Sequence, residues 1–418
     1  MGQPARPARR GGSRVEGIFE GIRVLDFTNA VSGPTLTRLM AEMGADVIKV
    51  ELPPTGDLGR TVPGVRNGRS GFFVQQNRGK RSLFLDVKAP EGRELAEELV
   101  RHVDVLVENF SPGVISRLGF DWETVSGVNP RLVMCSISAF GQEGPLRDQP
   151  GYDAIAQAYS GVMSMNGDPT STPALIGLSP GDVLTGVHGL AGVVAALHHR
   201  ERTGTGQKVE VSLIDCYMTC HELNIEVWSA SGGSIEPTRA GSLHPLVPAY
   251  GVFGTADGDV MIAVGNDRQW AQLCRAMGRP ELAEDERYAT APERAARRDE
   301  LNELVAAWTA CQASRDVALA RLQAERVPVA PVLSVVEAAS HPHVRQRGTV
   351  RTVDDELMGP LDIPGVPLRF SSFPDVSELR AASLGSHNRE VVCGLLGWSD
   401  ERYEALVEAG VLLDRPIS

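Results

Sequence analysis

Short β-branched runs alternate with longer amphipathic segments along the first half of the chain, from Gly21 onwards. This alternation is typical of βαβ units, which build a parallel sheet with helices on its faces. The predicted strands are IRVLDF (22–27), DVIKVE (46–51), SLFLDV (82–87), DVLVENF (104–110) and LVMCSISAF (132–140). Helices are predicted over residues 34–44 and 92–102. The pattern therefore predicts a doubly wound α/β domain.

A long helix is predicted over residues 183–202, because apolar residues recur there at helical spacing and TGTG follows. The predicted apolar stripe consists of Val187, Leu190, Val194 and Leu197. A further strand is predicted over residues 209–215. Beyond Ser231 a Gly- and Pro-rich connector leads to two strands joined by ADGD and then to charged helices up to Arg326, which predicts a second, smaller domain.

Composition and charge exclude several classes of protein. Of the 418 residues, 42% are hydrophobic and 22% charged, as in folded globular proteins and unlike disordered chains. The net charge of -12 opposes binding to nucleic acid. The longest apolar run, residues 189–197, is shorter than the ~20 residues of a membrane helix. The basic start of the chain continues into no apolar stretch, so no signal peptide is predicted.

The cysteines indicate a reducing compartment. All six are dispersed through a long chain, which argues against a disulfide framework and favours the cytoplasm. Cys216, Cys220 and His221 stand close together in sequence, as in some metal sites. No second pair of ligands lies near them, and the segment is apolar, so core packing is favoured over a metal site.

Common catalytic motifs are absent from the sequence. The segment after the first predicted strand, TNAVSGP (28–34), contains only Gly33, so it lacks the GxGxxG pattern of dinucleotide-binding domains. The absence of this pattern removes most of the support for a nicotinamide- or flavin-dependent enzyme. The motifs of P-loop NTPases, zinc proteases and α/β-hydrolases are missing as well.

Two polar features remain as candidates for chemistry. Asp182, in GLSPGDVLTGVHGL, stands where the long helix begins, and a carboxylate there serves either as a helix cap or as a nucleophile. By residue type alone the capping role is favoured, because caps are common. Glu108 and Asn109 end a predicted parallel strand, which is where ligand-binding loops gather.

Several ordered segments resemble the class III coenzyme A transferases, of the formyl-CoA and crotonobetainyl-CoA transferase type. The resemblance covers nearly the whole chain from Gly17. It rests on GIRVLDFTNAVSGP, GADVIKVE, NRGKRSLFLDVK, DVLVENFSPGVISRLGF, GYDAIAQAYSGVMS, GLSPGDVLTGVHG and RTGTGQKVEVSLID. Their number and order make the resemblance specific, whereas a single block such as TGTGQ would mean little.

The resemblance implies a function and a set of site residues. Asp182 matches the catalytic aspartate of the family, which attacks an acyl-CoA thioester and forms covalent aspartyl intermediates. Asp153 stands where formyl-CoA transferases have a glutamate near that aspartate. The residues that match the family's CoA contacts are Ala30, Val31, Ser32, Leu85, Lys88, Asn109, Phe110 and Arg117. Acyl-CoA and a carboxylic acid would be the substrates, with no permanently bound cofactor and no metal.

The family's architecture adds an expectation about assembly and domains. Two chains interlock as ring-like links of a homodimer, each with a large Rossmann-like α/β domain and a smaller α+β domain. On this chain the resemblance predicts a disordered tail at 1–16, the first part of the large domain at 17–215, a linker at 216–238, the small domain at 239–335, a second linker at 336–362 and the rest of the large domain at 363–418.

The sequence also departs from the family pattern. Val31 replaces a glutamine that orients the catalytic carboxylate in formyl-CoA transferases, and Leu52 replaces an arginine near the nucleotide. Racemases of α-methylacyl-CoA share the fold but use a histidine in a GHD segment, where this chain has Tyr152, a poor general base at neutral pH. A racemase-like enzyme and a non-catalytic acyl-CoA-binding subunit remain as alternatives.

Overall fold

The computed structural model describes residues 17–373 and 379–413, so the predicted tail at 1–16 lies outside the described residues. This part of the chain forms two compact units. The first contains residues up to 156, residues 179–218 and residues from 343 onwards, and the second contains residues 157–178 and 219–342. Residues 157–178 thus pack with the second unit, whereas the sequence placed them in the large domain. The domain limits stay a prediction, because compactness alone does not show independent folding.

The elements are short strands and mostly short helices. The strands are β1 Arg23–Asp26, β2 Asp46–Glu51, β3 Val65–Arg66, β4 Arg69–Ser70, β5 Arg81–Phe84, β6 Val105–Glu108, β7 Val133–Ser138, β8 Lys208–Ser212, β9 Tyr250–Gly254, β10 Asp259–Ala263, β11 Val329–Pro331, β12 Val350–Asp355 and β13 Gly359–Pro364. The helices are α1 Ser32–Glu42, α2 Gly71–Asn77, α3 Pro90–Arg101, α4 Val114–Arg117, α5 Trp122–Val128, α6 Asp153–Tyr159, α7 Val162–Met165, α8 Pro180–Thr203, α9 Leu213–Met218, α10 Asn224–Ala230, α11 Asp267–Met277, α12 Ala291–Ala296, α13 Arg298–Ala310, α14 Arg315–Ala324, α15 Val335–Ser340, α16 Pro342–Gln346 and α17 Asp400–Glu408. Two 3₁₀ turns lie at Leu58–Arg60 and Pro280–Ala283, and a π-helix at Glu390–Leu395.

A central parallel sheet organises the first unit. Its six strands lie in the order β5-β2-β1-β6-β7-β8, and every neighbouring pair is parallel. This is the strand order of a doubly wound dinucleotide-binding fold, as the alternating pattern predicted. The order reverses between β1 and β6, and in such sheets ligands bind beyond the carboxyl ends of the strands at that point. The fold therefore directs attention to the segments that follow β1 and β6.

One face of the sheet carries the larger core of the first unit. Apolar strand residues such as Leu25, Ile48 and Leu106 pack there against α3, α5 and the chain's C-terminal segment. The C-terminal residues of this core are Val391, Val392, Tyr403, Leu406, Val411 and Leu412. Residues near both ends of the described chain thus complete one hydrophobic core.

The opposite face is covered by α1 and α8. Glycines let α8 approach closely, because a Cβ atom at Gly189 would lie 2.8 Å from Cδ1 of Leu36, and one at Gly192 would lie 2.7 Å from Cγ1 of Val209. Helices therefore cover both faces of the sheet. This is the layered α/β arrangement that the sequence pattern predicted.

Helix α8 is apolar on both of its sides. Leu190, Val193 and Leu197 are buried, whereas Val187 and Val194 are 44% and 43% exposed. The predicted stripe is therefore wrong for Val187 and Val194, because a helix that is apolar all round shows no single stripe in its sequence. Within the described residues, α8 is also the one helix with the length and composition of a membrane span. Its contacts with α1, β7 and β8 are those of a core helix.

The second unit contains a three-stranded antiparallel sheet in the order β11-β10-β9. The strands β9 and β10 are joined at the predicted ADGD turn, where the N–H of Thr255 donates to the carbonyl of Gly258 at 2.8 Å. Helices α11, α13 and α14 supply apolar residues such as Trp270, Leu301 and Leu322 to its core. The predicted pair of strands followed by helices is confirmed.

Two local predictions need correction. The strand predicted over 209–215 ends at Ser212, because the Ser212 hydroxyl accepts the N–H of Asp215 at 3.2 Å and begins α9. The core packing predicted for two cysteines holds for Cys216, which is buried, but not for Cys220, which is exposed. Cys220 follows the end of α9 and so does not continue the helical spacing that the prediction assumed.

Candidate active site

The loop after β1 is held by Asn109, which follows β6. The N–H of Asn29 donates to Oδ1 of Asn109 at 2.8 Å, and Nδ2 of Asn109 donates to the Asn29 carbonyl at 2.8 Å. The same Nδ2 lies 3.2 Å from the hydroxyl of Ser32. These bonds join the segments that follow the two strands at the reversal of strand order. The predicted residues Ala30, Val31, Ser32 and Asn109 therefore lie together in this structure.

Ala30 gives this loop an unusual backbone. Its φ is 64°, in the left-handed region that few non-glycine residues occupy. Such a conformation persists only where its surroundings hold it in place, and it is found mostly at functional sites. The loop is also tightly folded, because a Cβ atom at Gly33 would lie 2.2 Å from Cγ2 of Thr28.

Asp182 lies in the first turn of α8. The helix begins with Pro180, and its N-cap is Ser179, whose side chain makes no capping hydrogen bond. Asp182 is therefore not the N-cap residue of α8, although its residue type favoured that role. Its carboxylate is still close to the free N–H groups and the positive end of the helix dipole.

A second carboxylate and a tyrosine surround Asp182. The N–H of Asp182 donates to Oδ1 of Asp153 at 3.1 Å, and the hydroxyl of Tyr217 donates to the same oxygen at 2.8 Å. Asp153 and Tyr217 are 5% and 1% exposed. Burial, and to a smaller extent the neighbouring charge of Asp153, raise the pKa of Asp182 to about 6, and a hydrogen bond to Ser32 partly offsets them.

Ser32 connects Asp182 with the loop after β1. Its hydroxyl lies near enough to the Asp182 side chain to lower the pKa of that carboxyl. Gly186 allows this approach, because a Cβ atom there would lie 2.6 Å from the carbonyl of Ser32. The structure thus places both predicted catalytic residues, Asp182 and Asp153, beside the loop at the reversal of strand order.

The other predicted CoA contacts lie farther along the same edge of the sheet. Lys88 follows β5 and Arg117 follows β6, and both are exposed. Neither has an ion-pair partner within residues 17–373 and 379–413. Phe110 is half-buried and packs on the core. Leu85 is 0% exposed in this structure, and its place among the CoA contacts stays a prediction.

Several residues of this site were missed by the motif search. Tyr217 binds Asp153, and Lys49 and Asp57 support the loop after β1. Lys49 belongs to a predicted strand, and Asp57 and Tyr217 to no motif, so no local signal identified them. Glu108 was noted only for its position; it is 1% exposed, and burial raises its pKa to about 7.

The donor set does not favour metal chemistry. Within the residues that the structure describes, no group of three or more His, Cys, Asp or Glu side chains could hold a metal ion. What the site offers is a desolvated carboxylate at a helix start, with backbone N–H groups nearby. Such a carboxylate is suited to nucleophilic attack on an activated acyl group.

Comparison with known proteins identifies the family. The model of CoA-transferase family III matches residues 19–388. Succinate--glutarate CoA-transferase of Agrobacterium fabrum is 38% identical over 386 residues, which cover 90% of this chain and 95% of that protein. Formyl-CoA:oxalate CoA-transferase of Streptomyces avermitilis is 36% identical over 409 residues, which cover 94% and 99%.

A solved structure agrees with these relatives. The crystal structure of a CAIB/BAIF family protein from Brucella suis matches with a TM-score of 0.78 and 35% identity, and the match covers 91% of this chain and all of that one (100%). The predicted resemblance is confirmed, and a non-catalytic role is not supported. The chain belongs to CoA-transferase family III and is an enzyme of that class.

Proposed function

We propose that the enzyme moves coenzyme A from an acyl-CoA donor to a carboxylic acid through covalent intermediates on Asp182. The observation that carries the proposal is the position of this carboxylate, which lies partly buried in the first turn of α8 and beside Ser32. A desolvated carboxylate loses the water shell that weakens it as a nucleophile in solution. Its raised pKa still leaves it ionised at neutral pH.

The proposed reaction has two symmetrical halves. A carboxylate oxygen of Asp182 attacks the thioester carbon, the C–S bond breaks, and CoA thiolate leaves a mixed anhydride. The thiolate then attacks the Asp182 carbonyl, which releases the donor acid and leaves an aspartyl-CoA thioester. The acceptor carboxylate opens this thioester to a second anhydride and frees the thiolate again. Attack of the thiolate on the acceptor's carbonyl gives the new acyl-CoA and restores the Asp182 carboxylate.

Two features of the site support this chemistry. Each step forms a tetrahedral oxyanion, which free N–H groups at the start of α8 could stabilise. Asp153 does not itself need to react, because its carboxylate accepts the N–H of Asp182 and the hydroxyl of Tyr217. We assign Asp153 the role of orienting the start of α8.

The relatives suggest the class of acids that the enzyme exchanges. Succinate, glutarate and oxalate, which appear in their names, are all short dicarboxylic acids. We propose a dicarboxylic acid as acceptor and succinyl-CoA as the first donor to test. The replacement of a family glutamine by Val31 gives no support to a formyl-CoA preference.

Trapping the covalent intermediate tests the function directly. The protein is incubated with succinyl-, acetyl-, oxalyl- or propionyl-CoA, quenched with hydroxylamine and digested for peptide mass spectrometry. We expect a hydroxamate on the peptide that contains Asp182, most abundant with the preferred donor. An unmodified Asp182 with every donor would contradict the proposal. Exchange of the substrate's α-proton in deuterated water, without CoA transfer, would instead indicate the racemase alternative.

Two exposed cations are proposed to bind the phosphates of CoA. Lys88 and Arg117 follow strands at the carboxyl edge of the sheet, and each is free of ion pairs within the described ranges. We expect Lys88→Ala and Arg117→Ala to raise the KM for acyl-CoA about three- to tenfold with little change in kcat, because each removes one charge from a solvated phosphate contact. Steady-state kinetics at low and high salt measures this effect.

The control for this prediction is Arg131→Ala. Arg131 is 44% exposed and precedes β7, so it lies at the amino edge of the same sheet. Its removal is expected to leave the KM unchanged. An equal rise in KM for Arg131→Ala would show that the effect comes from overall charge and not from a phosphate site.

A homodimer is proposed because α8 has an uncovered apolar side. Val183, Val187 and Val194 on this helix are more than two-fifths exposed (46%, 44% and 43%). A helix that is apolar all round is normally buried on all sides. We infer that a second copy of the chain covers this side, as the family's interlocked dimer implies.

Val187→Asp is expected to weaken that dimer by about a hundredfold or more, since it places a charge at an apolar contact. Analytical ultracentrifugation of the wild-type and variant proteins measures the change. Val65→Asp is the matched control, because Val65 is 52% exposed and lies on a short hairpin away from α8. A monomeric wild-type protein at micromolar concentration would refute the dimer.

A cytoplasmic location is proposed from the cysteines. None of the six forms a disulfide in the described part of the chain, and Cys220 and Cys311 are exposed. Exposed thiols of this kind persist in a reducing compartment and are oxidised outside it.

A further inference from the structure

A buried ion pair lies directly beneath the loop after β1. Nζ of Lys49, in the middle of β2, is 2.7 Å from Oδ2 of Asp57, and the two side chains are 1% and 0% exposed. Each charge favours the ionised form of the other. Lys49 holds the pKa of Asp57 below its ordinary value, although burial raises it. Asp26 and Asp57 hold the pKa of Lys49 above its ordinary value, although burial lowers it. Both groups are therefore charged at neutral pH.

The ion pair contacts the backbone of the loop at two points. Lys49 donates to the Thr28 carbonyl at 2.6 Å, and Oδ1 of Asp57 accepts the N–H of Ala30 at 3.1 Å. Ala30 is the residue with positive φ, so the second bond holds the strained position itself. The same Oδ1 accepts the N–H of Gly59 at 2.7 Å, which fixes Asp57 in turn.

A second buried ion pair supports the start of the same loop. Oδ1 of Asp26 accepts the N–H and the hydroxyl of Thr28 at 2.8 and 2.6 Å, and its Oδ2 lies 3.0 Å from Nζ of Lys80. Charged side chains thus bind the backbone on both sides of Asn29. The loop is held in one conformation before any substrate arrives, which is the arrangement that an active site requires.

Stability alone gives a weak reason for this arrangement. The desolvation of two charges offsets most of their attraction, so a buried ion pair contributes little net stability over an apolar pair. Lys49 and Asp57 instead each hydrogen-bond a backbone group of the same loop. The loop also packs against α8 beside Asp182, because a Cβ atom at Gly186 would lie 2.6 Å from the carbonyl of Ser32. The hydroxyl of Ser32 lowers the pKa of Asp182.

We propose that Lys49 and Asp57 are positioning residues that hold the loop of residues 28–32 so that Ser32 orients the nucleophile Asp182. Neither residue touches a substrate. The inference rests on the proposed function of Asp182 and adds the structural element on which its geometry depends. Displacement of the loop would move the Ser32 hydroxyl away from Asp182 and misalign the carboxylate.

The test compares Asp57→Asn with a matched variant elsewhere in the first unit. Asp57→Asn keeps the shape of the side chain but removes the carboxylate charge that is 2.7 Å from Lys49, so that Asp26 remains as its nearby counter-charge. Asp355 has the same arrangement, since its Oδ1 accepts the N–H groups of Leu357 and Met358 at 3.0 Å each and its Oδ2 lies 3.2 Å from Arg69. Asp355→Asn therefore removes an equivalent buried pair that does not contact the loop.

The readouts are thermal unfolding and the pH profile of kcat/KM for the donor and acceptor that the wild-type enzyme uses fastest. Both variants are expected to lose stability. Only Asp57→Asn is expected to lower kcat, about tenfold, and to move the acidic limb of the profile upwards by about half to one pH unit. The reason is that Asp182 loses the nearby Ser32 hydroxyl, which lowers its pKa. Asp153, which accepts the N–H of Asp182, and Tyr217, which donates to Asp153, are unchanged in both variants.

A double variant shows whether the effect passes through Ser32. Ser32→Ala is expected to give the same upward shift, and Asp57→Asn added to Ser32→Ala is expected to shift the limb little further. An unchanged limb in Asp57→Asn, or a shift that adds fully to that of Ser32→Ala, overturns the inference while the proposed function stands. A wild-type enzyme without CoA transfer overturns the proposed function itself. Where Asp57→Asn does not fold, Asp57→Glu keeps the charge but displaces the carboxylate, and the same outcomes apply.

Discussion

Asp182→Asn is expected to abolish CoA transfer, with kcat/KM reduced by about 10⁴-fold or more, because an amide cannot form the acyl anhydride. The substitution keeps the size of the side chain and the N–H bond to Asp153, so binding of acyl-CoA is expected to persist. Initial rates of transfer and a separate titration with CoA measure the two effects. Transfer within tenfold of the wild-type rate would show that another group forms the intermediate.

The same substitution is expected to stabilise the folded protein above pH 6. The pKa of Asp182 is raised from its ordinary 3.8 to about 6 by burial and by Asp153. Between these values the folded state binds more protons than the unfolded state, so the contribution of Asp182 to stability falls as the pH rises. Asparagine removes this penalty, which we estimate at about 1–2 kcal/mol at pH 8 after allowance for partial solvent access.

Unfolding of the wild-type and Asp182→Asn proteins at several pH values checks this sign. The difference in the free energy of unfolding is expected to be near zero at pH 4, to grow through pH 5 and 6, and to level off above pH 7. A variant that is less stable than the wild type at pH 8 would show that the carboxylate contributes favourably to the fold. The raised pKa would then have to be rejected.

Gly181→Ala is expected to disrupt the site through its neighbour. A Cβ atom at position 181 would lie 2.1 Å from Cε2 and 2.7 Å from Cζ of Tyr217, whose ring is buried. The ring must move, and its hydrogen bond to Asp153 would break with it. We expect a loss of about 2–3 kcal/mol in the free energy of unfolding and a drop of at least about tenfold in kcat.

Gly127→Ala provides the control for this change. Gly127 lies in α5, where a Cβ atom would meet nothing within 4 Å. Alanine there is expected to raise stability by about 0.5–1 kcal/mol, since glycine is a poor helix former, and to leave kcat unchanged. Equal behaviour of the two variants in thermal unfolding and kinetics would contradict the close approach of Gly181 to Tyr217.

The sequence predicted the strands and the long helix well, because their signals are local. The strand Asp46–Glu51 has its predicted bounds, and the helix at Pro180–Thr203 extends the predicted range by a few residues at its start. The two-sided character of that helix was missed, since periodicity cannot say which of several apolar faces packs inward. The end of β8 at Ser212 was missed because a single hydroxyl cap decides it.

The site was predictable only in part. Asp182 and Asp153 were named from the family resemblance, and their approach depends on α6, α8 and the sheet coming together. Lys49 lies between apolar residues in a predicted strand, and its pairing with Asp57 depends on a turn that no local pattern describes. Tyr217 is found only through its contact with Asp153. The ionisation and orientation of these side chains depend on contacts between residues far apart in sequence. Such contacts produce no periodic pattern in the sequence.

The core of the first unit ties its integrity to residues that lie far along the chain from the sheet. Residues from Val391 to Leu412 close a core that begins at Leu25. A truncation near position 390 would therefore leave one apolar face of the sheet open, and the shortened protein is expected to aggregate although every proposed catalytic residue is present.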